Sequence, residues 1–365
     1  MGEDNIFGNT LNKLKSESNY HYSTSIPHFD VYLGRGLCSG KIYEIFGYES
    51  TGKSTIAEFL SIAFLTQQKN GYVLWLESEY VMDRLRFKYM GGDLDRIIIH
   101  EVQILEEGFQ LILDTIEKSI KSKIPLMVVW DTIAAVVPKD NSGGIGHKPK
   151  LIREYLRRLV DSLAESDSIV LFVNQVYEVI GQMSGPKAPG GLGIRFHASL
   201  RSKIKKTKRI TKTIAGMVIE EASHISLQSV KSKLMYPNLV CDLYMHNELG
   251  IMKWESIALF LKNSGMASPK SGGWSSFSVG DKEIKFQSGA QLQQFSEKNE
   301  KFDILIDYLV YHKYSTISPL IKMRLFDDIK KMEGEISDLY ELIPIELSEE
   351  ESIIANAVLR NIAND

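Results

Sequence analysis

Cysteine is scarce in this chain: Cys38 and Cys241 are the only two in 365 residues. That excludes a disulfide framework and fits a reducing compartment. Long apolar runs are missing too, and no stretch approaches membrane-spanning length. Excess charge of one sign is absent: 43 Lys and Arg against 46 Asp and Glu leave a net charge of −3. Any basic surface for nucleic acid must therefore be local. The opening M-G-E-D-N-I-F-G-N-T has neither a basic stretch nor an apolar core, so no secretory signal is expected. Ile6 stands where N-myristoylation wants Ser or Thr. There is no internal repeat and no low-complexity tract. These absences predict a soluble, cytoplasmic protein with no membrane partner. What remains is ordinary globular material, 44% apolar and 24% charged, long enough for one large or two smaller domains.

The chain is organised around E-I-F-G-Y-E-S-T-G-K-S-T-I-A, residues 44–57. Ile42 to Phe46 is a short apolar run, and Ile56, Leu60, Ala63 and Phe64 recur at helical spacing after it. Gly47-Tyr48-Glu49-Ser50-Thr51-Gly52-Lys53-Ser54 thus lies between a buried strand and a helix, the context that makes G-x-x-x-x-G-K-[ST] a phosphate loop. The two glycines let successive N–H groups point at phosphate oxygens, and the helix adds its positive end. Lys53 reaches the β and γ phosphates, and Ser54 offers a hydroxyl to Mg²⁺. A glycine-rich turn with a chance lysine is the bland alternative, and the flanking strand and helix count against it. The predicted ligand is a nucleoside triphosphate.

Residues 1–30 are polar, with Leu11 and Leu14 at helical spacing, and are expected to form a short arm or docking helix, an oligomerisation element. From Gly40 strands and helices alternate: strands over Val73 to Leu76, Ile97 to Ile99, Leu126 to Trp130 and Ile169 to Val173. The helices between them carry Phe109, Ile112, Leu113 and Ile116, then Ile152, Leu156, Leu159 and Leu163. The pattern predicts an α/β core with a mainly parallel central sheet and ligands at the carboxyl ends of its strands. Residues 181–193 are too rich in Gly and Pro for regular structure. Partial alternation near 217–219, 225–230 and 239–245 predicts antiparallel strands extending the sheet. From about Trp254, a helix, the Gly272-Gly273-Trp274 segment and more helices predict a smaller second domain. The expected division is an arm over 1–30, a core over 31–252 and a C-terminal domain over 253–365.

Asp131 ends an apolar strand, the usual place for a carboxylate that helps hold Mg²⁺, although an aspartate there also caps a following element. Glu79 and Glu77 compete for the role of activating a water. Gln175 ends the Ile169 to Val173 run, suited either to sensing a γ-phosphate or to satisfying backbone groups. Residues 201–209, R-S-K-I-K-K-T-K-R, contain no acid and lie beside the Gly/Pro loop. Together they predict a groove for a phosphate backbone, against the commoner reading of a solvated strand.

The phosphate loop, V-V-W-D-T-I-A-A-V-V-P-K at 128–139, F-V-N-Q-V at 172–176 and G-G-L-G-I-R-F-H-A-S-L-R at 190–201 resemble the RecA recombinases. The likeness continues through V-K-S-K at 230–233 and G-W-S-S-F at 273–277, and so covers residues 25–285. It implies a RecA-type P-loop ATPase core: a DNA-dependent ATPase that forms helical filaments on single-stranded DNA and exchanges strands with homologous duplex. ATP and Mg²⁺ are its cofactors; single-strand-binding and loading proteins are companions. By resemblance, residues 47–55, Asp83 and Arg86 contact the nucleotide, Ser54 and Asp131 hold the metal, Glu79 rather than Glu77 activates water, and Gln175 senses the γ-phosphate. Loops 139–150 and 177–193 bind DNA, through Gly144, Met183, Gly190, Gly191 and Arg195. Phe196 relays at the subunit contact, and Lys231 and Lys233 enter the neighbouring subunit's ATP site. Arg86 departs from the family, which commonly stacks a tyrosine on adenine there, leaving Phe87 or Arg86 itself as the substitute. Ser184 departs where an aromatic is usual, leaving Met183 as the apolar residue between bases. A hexameric helicase and a recombination mediator are the competing classes. The lysine pair, in place of an arginine finger, disfavours the first, and the presence of Glu79 disfavours the second.

Overall fold

The computed structural model describes residues 20–79, 82–140, 144, 146–176, 191–279, 282–299 and 301–337. Its centre is a nine-stranded sheet. Lys41–Gly47 forms β3, which leads through the phosphate loop into α2, Lys53–Gln67. Then come β4 (Tyr72–Glu77), α3 (Arg84–Tyr89), β5 (Ile97–Glu101), α4 (Leu105–Ser122), β6 (Leu126–Asp131), α5 (His147–Ala164) and β7 (Ile169–Gln175). A short helix α6 (Gly191–His197) precedes β8 (Leu200–Ile214) and β9 (Met217–Ser232), followed by β10 (Val240–His246) and β11 (Gly250–Ile251). Across the sheet the order is β11-β10-β9-β8-β3-β7-β6-β4-β5. The strands from β8 to β5 run parallel, and β9, β10 and β11 add antiparallel to one edge.

Both faces of the parallel part are covered, so its strands are apolar on both sides. Along β4, Val73 and Trp75 face the core under α2, while Leu74 and Leu76 face the core under α4 and α5. Trp75 and Trp130, on opposite faces, are each at most 1% exposed. Burying side chains of this size contributes roughly 2–3 kcal/mol apiece, enough to fix the register of the strand ends on which the site is built.

Three expectations change. Residues 20–30 do not stand apart as an arm. His21–Tyr22 (β1) pairs with Leu37–Cys38 (β2), and every residue of α1, Pro27–Leu33, is buried. A helix buried all round shows no amphipathic period, which hid it. Residues 1–19 lie outside the described residues. The separate runs expected at 217–219 and 225–230 are one strand, β9, in a long hairpin with β8. Finally, the C-terminal residues are not packed alone. Helix α7 (Lys253–Asn263), β13 (Ser275–Val279), β14 (Lys282–Phe286) and helices α8 (Gly289–Lys298), α9 (Lys301–Ser315) and α10 (Pro319–Ser337) share a core that takes in Val31 of α1 and Met235, while the exposed β12 (Ser268–Pro269) pairs with β13. Arg35 Nη2 also donates to Asp328 Oδ1 at 2.6 Å, fastening the turn after α1 to α10.

Candidate nucleotide site and the basic face beside it

The loop from β3 to α2 turns where the sequence has glycine. Gly52, the N-cap of α2, has φ +93°, a conformation that side chains resist. At Gly47 a Cβ would stand 2.6 Å from the Ile204 carbonyl oxygen of β8. Any side chain there pushes the loop off the sheet. Lys53 Nζ and Thr51 Oγ1 both donate to the Tyr48 carbonyl, at 2.7 and 2.8 Å, which closes the loop on itself.

This loop is one wall of a cavity of about 830 Å³, lined by residues 49–55 and also by Glu79, Arg86, Asp131, Gln175, Lys206, Met245 and Asn247. Gly47 and Tyr48 sit at the entry to the turn rather than on that wall. The strand ends deliver the rest. Asp131 closes β6, and the Ser54 hydroxyl donates to it; burial still pushes its carboxyl up to about 6. Gln175 closes β7 and donates from Nε2 to Glu79 Oε1 at 2.8 Å. Burial raises the Glu79 carboxyl, against the pull of Lys53. Burial lowers the Lys53 ammonium, against Asp131, Glu79 and Glu49. A triphosphate entering here supplies the negative charge that favours the protonated lysine. Glu77, the competitor of Glu79, is 5% exposed and accepts from the Met82 backbone N–H at 3.2 Å. It is not on the cavity wall.

Asp83 is used differently from expectation. Its carboxylate caps α3, accepting from the N–H groups of Leu85 and Arg86 at 2.9 and 3.0 Å, and it does not line the cavity. A helix start leaves such N–H groups without partners, and an aspartate before it satisfies them. Arg86 is on the cavity wall.

Glu44 was not anticipated. It is 1% exposed in mid-β3, accepts from Asn174 Nδ2 at 3.0 Å, and is ion-paired with Arg201 of β8. It therefore ties together the strands that carry the phosphate loop, Gln175 and the basic run. Its only sequence signal is an acid interrupting an apolar run.

A family model for the RecA N-terminal domain matches residues 4–252. The chain belongs to the RecA family. It is 31% identical to Protein RecA of Mycoplasmopsis pulmonis, over 78% of this chain and 82% of the relative. To Protein RecA of Mycoplasma mobile it is 31% identical over 76% and 83% respectively, and to that of Clostridium tetani 27% over 84% and 86%. RecA membership bears out the α/β fold class with its mainly parallel sheet.

The basic run of this RecA-family chain is less free than its sequence suggests, because β9 brings acids to it. Lys206 pairs with Glu220 at 2.6 Å, Arg209 with the same carboxylate at 3.5 Å, and Lys212 with Glu221 at 3.1 Å. Lys206 moreover faces the nucleotide cavity. Lys205 and Lys208 remain on the exposed surface. Of the DNA-loop residues, Gly144 has φ +69°, Gly191 opens α6 and Arg195 is exposed on it. Met183 and Gly190 lie outside the described residues.

Lys231 and Lys233 are not on their own chain's cavity wall. Lys231, opposite Arg201 in β9, donates to the carbonyls of Arg195 and Phe196 at 2.8 and 2.7 Å, a cation closing the end of α6. Burial, then Lys233, Arg201 and Arg195, brings its ammonium down to about 8. Lys233 lies one residue past the end of β9, so strand alternation does not set the two lysines on one face. Phe196, beside them, is 60% exposed. No helix among the described residues is long and apolar enough to cross a membrane.

Proposed function

We propose that this chain is an ATP-dependent recombinase: it assembles on single-stranded DNA as a helical filament and promotes pairing and strand exchange with homologous duplex. The observation that carries this reading is the convergence of Lys53, Ser54, Glu79, Asp131 and Gln175 on one cavity, in a chain of the RecA family. Lys53 and the loop N–H groups hold the phosphates of ATP. Mg²⁺ fits the donor set, one hydroxyl beside one buried carboxylate, because this ion keeps phosphate oxygens and waters as its other ligands. When bound it neutralises phosphate charge. Among the described residues there is no cluster of three or more side chains that would hold a metal unaided. Glu79 takes the proton of the attacking water, and Gln175 carries the state of the γ-phosphate into the DNA-binding loop that begins just after it. Phe196, Lys231 and Lys233 form one basic, partly apolar face that meets the ATP site of the next subunit. DNA lies along Gly144, Gly190, Gly191, Arg195 and Met183.

Hydrolysis with and without single-stranded DNA, beside electron microscopy with a slowly hydrolysed ATP analogue, tests the proposal. DNA-stimulated hydrolysis and helical filaments are expected, and the hydrolysis is lost in Lys53→Ala. Closed rings that translocate, or hydrolysis indifferent to DNA, contradict it.

A further inference from the structure

Strands β8 and β9 run on well past the sheet that contains them. β8 pairs with β3 only through Leu200 to Lys203, and β9 with β10 only from Ala222 to Gln228. Beyond those points the two strands have each other alone, as far as the turn at Ala215 and Gly216. Both turn residues have positive φ, +50° and +79°, the two-residue turn whose twist suits a hairpin. Every residue from Thr211 to Ile219 is exposed.

The tip of this ribbon is apolar. Ile214, Met217, Val218 and Ile219 are 41 to 70% exposed. Ile214 is paired with Met217 and Lys212 with Ile219, so Ile214, Met217 and Ile219 share one side of the ribbon. Val218 lies on the other side, beside Thr213. An exposed apolar residue standing singly is ordinary, but four adjoining ones mark a contact surface. A two-stranded ribbon is also marginal in water by itself, and a partner on its apolar side stabilises it.

The root of the ribbon is fixed at the nucleotide cavity. β8 is parallel to β3 and so leaves the sheet at the end that carries the phosphate loop. Lys206, on the cavity wall, and Arg209 both pair with Glu220. Asn247, on the same wall, donates from Nδ2 to the Glu220 carbonyl. From Lys206 to Ile214 the strand spans about 25 Å, at roughly 3.3 Å per residue. A body that closes over the cavity therefore meets the tip well away from the phosphates. In the function proposed above that body is a second copy of this chain, bringing Lys231 and Lys233 to the cavity. Such a contact is head to tail, so every copy offers its ribbon to the next.

We propose that the tip of the β8–β9 hairpin, through Ile214, Met217 and Ile219, docks on the next copy of this chain and clasps the two subunits across the nucleotide cavity. The inference rests on the filament reading above and adds an apolar contact remote from ATP.

A benzophenone side chain placed at Met217 of the full chain, irradiated with single-stranded DNA and a slowly hydrolysed ATP analogue, tests it. Crosslinks between chains, mapping by mass spectrometry to one surface, are expected. Met217→Asp with Ile219→Asp should raise the protein concentration needed for assembly about tenfold or more, because two charges must then be buried. The melting temperature and nucleotide affinity of the dilute, unassembled protein should stay at their wild-type values, since both side chains are exposed in their own chain. Thr213→Asp, on the other side of the ribbon, should shift assembly much less. Crosslinks from Met217 to DNA, with none between chains, overturn the proposal. So does assembly of the aspartate pair at the wild-type concentration, and so does an equal shift in Thr213→Asp. A wild-type protein that does not assemble at all overturns the filament reading itself, and this inference with it.

Discussion

Gln175 Nε2 and Glu79 Oε1 are joined by a 2.8 Å hydrogen bond that spans β6, linking the end of β7 to the segment just past β4. The carboxylate proposed to activate water and the amide proposed to sense the γ-phosphate are therefore in contact within one subunit. Glu79→Gln keeps a side chain of the same size beside Gln175 and removes the base. Nucleotide affinity should stay close to wild type while DNA-stimulated hydrolysis falls ~10²–10⁴-fold. Paired binding and steady-state hydrolysis assays check both halves. A normal hydrolysis rate removes Glu79 from the role.

The lysines of β8 should separate into two classes. Lys205 and Lys208 are exposed, whereas Lys206 is ion-paired at the nucleotide cavity. Neutralising Lys205 and Lys208 together should weaken single-strand binding evenly across sequences and flatten its dependence on salt, since fewer counterions are released. Lys206→Ala should leave that slope alone and change nucleotide affinity instead. Titrations of labelled single strands at several salt concentrations, with nucleotide binding alongside, distinguish the two. An unchanged slope in the double variant means that β8 makes no contact with the DNA backbone.

Stability should depend on pH through the joint between α1 and the C-terminal helices. Asp307 is pushed up to about 7, by burial first and then by Asp30, with Lys253 opposing. Asp30 is itself pushed up to about 6 by burial. A folded carboxyl with a raised pKa keeps a proton that the unfolded chain has already released. Its contribution is present at low pH and is lost as pH rises from the ordinary aspartate value, 3.8, through about 7. The melting temperature of the nucleotide-free protein should therefore fall between pH 5 and 8, and Asp307→Asn should flatten that fall. A melting temperature that rises equally in both proteins over this range contradicts the assignment.

The phosphate loop was legible because motif and context agree locally: an apolar strand, the glycine spacing and a helical period follow one another within residues 42–64. Asp131 and Gln175 were legible as polar ends to apolar strands. What escaped depends on partners distant in sequence. Glu44 and Glu58 read as flaws in apolar runs until Arg201 and Arg86 arrive from elsewhere in the chain. The run at 201–209 looked uncompensated because its acids come from other strands, Glu44 from β3 and Glu220 from β9. Helix α1 carried no period because all its residues are buried. Asp83 could have been read correctly, since an aspartate just before a helical segment is a capping signal.

The proposed ATP site is shared: Lys231 and Lys233 of one subunit complete the cavity of the next. A cation supplied in trans is worth ~10³–10⁵-fold in the best-known NTPases. Because Lys231 also holds the end of α6, Lys233→Ala is measured alone beside the double variant Lys231→Ala, Lys233→Ala, and both of these are first shown to fold and bind ATP. The decisive measurement is DNA-stimulated hydrolysis in mixtures of the double variant with Lys53→Ala protein. Neither should hydrolyse ATP alone. In the mixture, every interface that places an intact Lys53 site against an intact lysine pair should recover activity, with a maximum near equal proportions. No recovery at any ratio, in mixed filaments visible by electron microscopy, contradicts the shared site.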